Sequence, residues 1–189
     1  MAVVGTQDLG TPHRQRFEGD RPEWGVPRSR TVHWHDPEVT AAAGALLSGL
    51  EFLRAIRDGV LPPPPIATLL GMQMREIEVG RVVFECEPDE STYNPIGVVH
   101  GGLVCTLADT VAGCAVHSTL EQGVAYTSID LNVSYLRPVT TSSGLLRATG
   151  VVTKRGRRVA FSSAEIVDRA GKLVGSATSS CLVMDQRGT

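Results

Sequence analysis

Three side chains with the types and spacing for acyl chemistry stand close together. Asn94 precedes His100 by six residues, Asp109 follows it by nine, and two glycines come directly after the histidine, in Asn94-Pro95-Ile96-Gly97-Val98-Val99-His100-Gly101-Gly102. The histidine and glycines open an apolar run that reads as a helix. The first N–H groups of a helix have no intrahelical acceptor, and its dipole is positive there, so the site attracts anionic oxygen. Glycine lets a carbonyl approach the backbone with no Cβ in the way. The Gly101 N–H, with that of Gly102 as a second donor, is therefore a candidate oxyanion site. Asp109 lies two to three turns along, between Leu107-Ala108 and Val111-Ala112. An ionised carboxylate is costly there unless paired or functional, and a water held by it becomes a nucleophile. Structural alternatives exist for each residue: Asp109 satisfied by Thr106, His100 as a helix cap, and His-Gly-Gly as a tight turn into the helix.

The elements that position these residues follow from periodicity. The helix is expected over Gly101 to about Thr119, where Leu103, Val104, Leu107, Ala108, Val111, Ala112, Ala115 and Val116 leave almost no polar face, so it must be buried nearly all round. His117, near its end, is expected to interact with the helix dipole. Two alternating strands, Met72 to Val79 and Arg81 to Glu87, precede it around a Gly80 turn, and a loop spans Pro88 to Val99. Further strands are expected over Ala125 to Leu136, Gly144 to Lys154, Arg157 to Asp168 and Lys172 to Met184, with hairpins at Lys154-Arg155-Gly156-Arg157 and Arg169-Ala170-Gly171. The result is an α+β fold, a curved antiparallel β-sheet wrapped around one long buried helix. Upstream, Val39, Leu46, Leu47, Leu50, Leu53 and Ile56 predict one amphipathic helix over residues 38 to 58, and Pro62 to Pro65 a rigid extended connector. The chain thus divides into an irregular arm (1–37), a helix and connector (38–65), a core domain (66–184) and a short tail (185–189).

The Asn94, His-Gly-Gly and Asp109 pattern, with Thr127-Ser128-Ile129-Asp130-Leu131-Asn132-Val133-Ser134-Tyr135-Leu136-Arg137-Pro138 downstream, resembles the PaaI-like acyl-CoA thioesterases of the phenylacetate-pathway type, in the 4HBT superfamily. The resemblance covers Ile66 to Met184 and implies a hot-dog fold with the upstream helix as an N-terminal extension. It implies hydrolysis of acyl-CoA to free acid and CoA, with Asp109 as general base or nucleophile, Gly101 polarising the thioester carbonyl, and Asn94 and His100 shaping the oxyanion end. Ser128 matches the position that orients the water in some relatives, yet it shares strand parity with Asp130, Asn132 and Ser134, so only a bulge or the structure decides which way it faces. Thr127 and Gly102 are taken as substrate-binding residues beside them. Such sites are built between protomers, which implies a homodimer or a dimer of dimers in which Asp109 meets Asn94 and His100 of the neighbour. Arg137 and the turn carrying Arg155, Arg157 and Arg158 are candidate contacts for CoA phosphates, with a merely solvated hairpin as the alternative.

Composition narrows the remaining classes. The 189 residues are 42% hydrophobic and 20% charged, with a net charge of −2, which suits a single soluble domain with an extension and gives no electrostatic footprint for nucleic acid. Cys86, Cys105, Cys114 and Cys181 lack CxxC spacing and sit in apolar stretches, as thiols of a reducing compartment do, so a cytoplasmic location is expected. No signal peptide is read in Met1 to Phe17, and the apolar run from Gly101 to Val116 is too short to span a bilayer. His33-Trp34-His35-Asp36 matches no closed metal site, and neither a metal nor a cofactor is expected, coenzyme A being part of the substrate. Two competing functions are a hot-dog hydratase or dehydratase, whose signatures are not found here, and a non-catalytic acyl-CoA binding module.

Overall fold

Alternation in the strands and an unbroken apolar run between them set the architecture in a computed structural model that describes residues 21–185. The expected arm and tail fall largely outside these residues. Residues 21–31 belong to a unit of their own, which carries a short 3-10 turn at Pro22–Trp24. Everything else described lies in the unit that begins at Val32.

Six strands, β1 (Met72–Glu78), β2 (Arg81–Cys86), β3 (Val124–Tyr135), β4 (Leu146–Arg155), β5 (Val159–Val167) and β6 (Leu173–Asp185), form one antiparallel sheet in the order β1-β2-β4-β5-β6-β3. The strands match expectation to within two residues. The β4–β5 hairpin, however, turns through Gly156 to Arg158, and Gly156 does not take a positive φ, whereas Gly171 in the next turn has φ +75°. The long helix, Gly101–His117, packs its Leu107, Ala108, Val111 and Ala115 against Leu146, Ile166 and Val174 of the sheet, all buried. It crosses β4 at Gly150, where a Cβ would overlap the Val111 carbonyl. The helix is not buried all round as expected: Thr106, Asp109, Thr110, Cys114 and His117 are half-buried and, at spacings of three and four, lie along one side.

Upstream, the single expected helix is two, α1 (Pro37–Gly44) and α2 (Gly49–Arg57). Ala45 and the two leucines after it turn the chain, and Ser48 restarts the helix through a capping box: its side chain accepts from the Glu51 N–H while the Glu51 carboxylate accepts from the Ser48 N–H. The new start also serves packing. The Gly49 N–H donates to the Leu120 carbonyl at 3.0 Å, and a Cβ on Gly49 would overlap the His117 carbonyl, so only glycine lets α2 abut the end of the long helix. The proline run is an extended connector only as far as Pro64. Pro65 instead opens a further short helix, α3 (Pro65–Leu70), as its fixed φ suits the first helical position, and Gly71 in the left-handed region ends it. With α3 counted, the long helix is α4.

Candidate functional site

The loop before α4 is tied down residue by residue. The Asn94 side-chain oxygen accepts from the N–H groups of Ile96 (3.1 Å) and Val98 (3.4 Å), the Asn94 N–H donates to the Val98 carbonyl, and Gly97 takes φ +83°. The His100 N–H donates to the Thr92 carbonyl at 2.8 Å. Asn94 thus shapes the loop that delivers His100 to the helix.

At the helix start the cap reading of His100 holds: its Nδ1 accepts the Gly102 N–H at 2.8 Å, which leaves the proton on exposed Nε2. This corrects the expectation for Gly102, whose N–H is spent on the cap and is not a second oxyanion donor. The Leu103 N–H turns back to the His100 carbonyl at 3.0 Å. The Gly101 N–H has no acceptor among the described residues. Gly101, at the positive end of α4, lines a recess of about 270 Å³ with Tyr135, Arg137 and Pro138. A Cβ on Gly101 would lie 3.1 Å from the Tyr135 ring, a tight contact that glycine spares. Tyr135 was not singled out from the sequence, although it stands in the stretch that carries the resemblance. Arg137 reaches this recess, but its guanidinium also donates to the Leu173 carbonyl at 2.5 Å.

Asp109 has a different partner from the one its neighbours suggested. Thr106 donates back to the Gly102 carbonyl (2.8 Å) and Thr110 to the Thr106 carbonyl (2.7 Å), so neither serves the carboxylate. Ser128 does, its hydroxyl donating to Asp109 Oδ1 at 2.9 Å. A bulge in β3 makes this possible. The ladder to β6 pairs Ser128 with Cys181 and Asp130 with Ser180, so Ile129 is skipped and the parity that set Ser128 with Asp130 is broken. Asp109 Oδ2 has no partner among the described residues and lies on the half-open side of the helix. Thr127 is exposed and, one residue before Ser128, alternates to the other face of the strand.

Burial, reinforced by the Asp109 charge, pushes the Cys114 thiol up to about 12, and burial likewise raises Tyr126 and Cys181. All three stay protonated at neutral pH, so none competes as a nucleophile. His117 does not carry the charge expected for a dipole interaction: burial lowers it to about 4, and its ring packs between Phe52 and Tyr126 with centroids 5.3 and 5.2 Å away.

Within one chain the predicted residues form three groups rather than one. Gly101 and Asp109 stand eight positions apart on the same helix, about 12 Å along its axis at 1.5 Å per residue. Arg155, Arg157 and Arg158 line a recess with Thr119, Glu121 and Val124, beyond the other end of α4. Strand β3, running past all three groups, is an edge of the sheet, and Ile129 and Tyr135 on it are each 56% exposed. Among the described residues no cluster of three or more His, Cys, Asp or Glu is placed to hold a metal ion, and no helix is long and apolar enough to cross a membrane.

Residues 96–174 match the family model described as the thioesterase superfamily. Human acyl-coenzyme A thioesterase 13 is 35% identical over 96 residues, 50% of this chain and 67% of that protein. Among solved structures, a phenylacetic acid degradation-related protein of Ralstonia eutropha is 33% identical with a TM-score of 0.63, covering 68% of this chain and 97% of that one. A thioesterase protein of Streptococcus pneumoniae, solved with coenzyme A, is 25% identical with a TM-score of 0.56, covering 62% of this chain and 91% of that one.

Proposed function

The chain belongs to the thioesterase superfamily, and on that premise we propose the route by which it hydrolyses acyl-CoA thioesters to free acid and coenzyme A. Asp109 is the base. Ser128 fixes the carboxylate by holding Oδ1, and Oδ2 faces the open side of the helix, where it holds a water. As the water attacks the thioester carbon, its proton passes to Asp109, and the carbonyl oxygen takes up negative charge. The Gly101 N–H, at the positive end of a helix and without an acceptor among the described residues, is aimed at that oxygen. Collapse of the tetrahedral intermediate breaks the carbon–sulfur bond, and the proton on Asp109 returns to the departing thiolate. The observation that carries the reading is the Ser128–Asp109 hydrogen bond, since it gives the carboxylate one fixed oxygen and one working oxygen.

About 12 Å along one helix is too far for Gly101 and Asp109 to act on the same carbonyl. The site is therefore shared by two copies of the chain, with Asp109 and Ser128 from one and Gly101, His100 and Asn94 from the other. The exposed edge of β3 supplies the contact. Two such edges paired antiparallel about a twofold axis set the Val124 end of one strand beside the Tyr135 end of the other. This pairing also carries Arg155, Arg157 and Arg158, which sit by Val124, toward the partner copy's helix start and Arg137, where they would meet the phosphates of CoA. A dimer or dimer of dimers satisfies the geometry. The hot-dog domain spans residues 66–184 with the upstream helices appended to it, the reaction needs no cofactor beyond the CoA in its substrate, and four free thiols favour the cytoplasm.

Release of free thiol from a panel of acyl-CoA esters tests the function. Turnover by the wild-type protein, lost in Asp109→Asn, is the expected result, while binding or hydration of an acyl-CoA frees no thiol and would overturn it.

A further inference from the structure

A cavity of about 610 Å³ lies between the N-terminal helices and the half-open side of α4. Thr110, Cys114 and His117 of α4 and Tyr126 of β3 form one wall. The facing wall is Phe52, Leu53 and Ile56 of α2, residues outside the 96–174 match to the family. This wall is fixed in place by the approach at Gly49 and by the Phe52–His117 ring contact. We infer that the cavity holds the alkyl chain of a fatty acyl thioester whose carbonyl end lies at Asp109, so that the N-terminal helices select the acyl group; the inference rests on the thioesterase reading above.

Position, chemistry and size each support it. Thr110 in the wall directly follows Asp109, and the Tyr126 hydroxyl lies 2.9 Å from where a Cβ on Gly113 would be, one turn beyond Asp109. On α4 the lining thus begins one residue beyond the carboxylate. The titratable groups of the inner wall carry no charge at neutral pH, since burial holds Cys114 and Tyr126 protonated and His117 neutral. The two arginines of the lining are paired, Arg57 with Asp58 and Arg75 with Glu85, each at 2.7 Å. Met72 and Met74 add flexible apolar surface suited to a chain of variable shape. A cavity of about 150 Å³ is enough for a benzene ring. At about 610 Å³ this one exceeds a single aryl group about fourfold and falls in the range of sites that enclose extended ligands.

The test compares wild type with Ile56→Trp, which places an indole in the cavity. Thiol release is measured from acetyl-, phenylacetyl- and palmitoyl-CoA, and palmitate binding by displacement of a fluorescent fatty acid. The expected result is that Ile56→Trp lowers the palmitoyl-to-acetyl ratio of kcat/KM by roughly tenfold or more and weakens palmitate binding comparably. Ile66→Trp, at a half-exposed position of the same lining, repeats the test if the first variant does not fold. An unchanged ratio with unchanged palmitate binding in a folded variant overturns the inference, as does a wild-type preference for phenylacetyl-CoA that neither variant alters. The two readings fail separately. Thiol release without palmitate binding or a shifted ratio removes the chain site and leaves the thioesterase, whereas palmitate binding lost in Ile56→Trp with no thiol released from any ester keeps the chain site and removes the hydrolysis.

Discussion

Asp109→Asn removes the proposed base while preserving the contact that holds it. The asparagine carbonyl still accepts the Ser128 hydroxyl, now as a neutral bond, so the fold loses only the surplus of a charge-assisted over a neutral hydrogen bond, about 1 kcal/mol. Catalysis loses far more. A positioned general base contributes roughly 10²–10⁴ in rate, so kcat should fall by that factor in a protein that melts close to wild type. Ser128→Ala leaves the base and removes its anchor. A hydrogen bond to a charged group is worth about 1.5–3 kcal/mol, which caps the loss in kcat at roughly tenfold to a hundredfold. Because Ser128 acts through Asp109, the two losses should not add: in the Asp109→Asn background, Ser128→Ala should change kcat by less than about twofold. The assay is thiol release from one acyl-CoA ester, with kcat and KM resolved for the four proteins of the cycle. A folded Asp109→Asn protein turning over at the wild-type rate refutes the assignment of the base. Equal losses from Ser128→Ala in both backgrounds refute the anchoring role and place the hydroxyl on the substrate itself.

Three further outcomes are expected. Alanine at Arg155, Arg157 or Arg158 should raise KM for acyl-CoA but not for the matching acyl-pantetheine, which lacks the nucleotide; equal effects on both return the turn to solvent. Mixing Asp109→Asn with His100→Ala should restore about a quarter of wild-type activity after subunit exchange, since half the dimers are mixed and each holds one intact site of two; no recovery after verified exchange removes the shared site. His117, with its pKa lowered by burial from 6.5 to about 4, is neutral in the fold while the unfolded chain takes up a proton, so up to about 3 kcal/mol of stability present above pH 6.5 should be lost as the pH falls from 6.5 to 4. Urea midpoints across that window should show the slope in wild type and lose it in His117→Phe, while carboxyls held low by hydrogen bonds, Glu51 by Ser48 and Glu76 by Arg81, act at lower pH.

The core was legible because its signals are local. Alternation fixed the six strands, and an apolar run too continuous for a surface helix fixed α4. The N-terminal helices were misjudged because Ala41 to Leu47 are nearly all tolerant of a helix, so periodicity runs through the break; the Ser48-to-Glu51 capping box was the signal that marked it. Pro65 reads as connector in the sequence because a proline run does not say which member opens a helix. At the site, residue types and spacing pointed to Asp109, but which neighbour holds it depended on the β3 bulge. That bulge is a property of the pairing with β6 and leaves no mark in the strand's own residues. The fate of the Gly102 N–H turned in the same way on the conformation of the His100 side chain.

The proposed division of the site between two chains has a physical rationale beyond reach. A helix N-terminus and a carboxylate attract one another, and an acidic side chain in the first turn of its own helix folds back to cap the N–H groups there. Had Asp109 stood near Gly101, base and oxyanion donor would have satisfied each other, and both would have been spent in the resting protein. Two turns and more of apolar helix keep them apart, with the cap supplied by the His100 ring and the carboxylate's partner by the Ser128 hydroxyl. Each group is thus anchored by a neighbour that occupies only part of its capacity. On that proposal, what remains on each, one N–H and one carboxylate oxygen, is brought face to face when a second chain presents its helix start across the β3 edge.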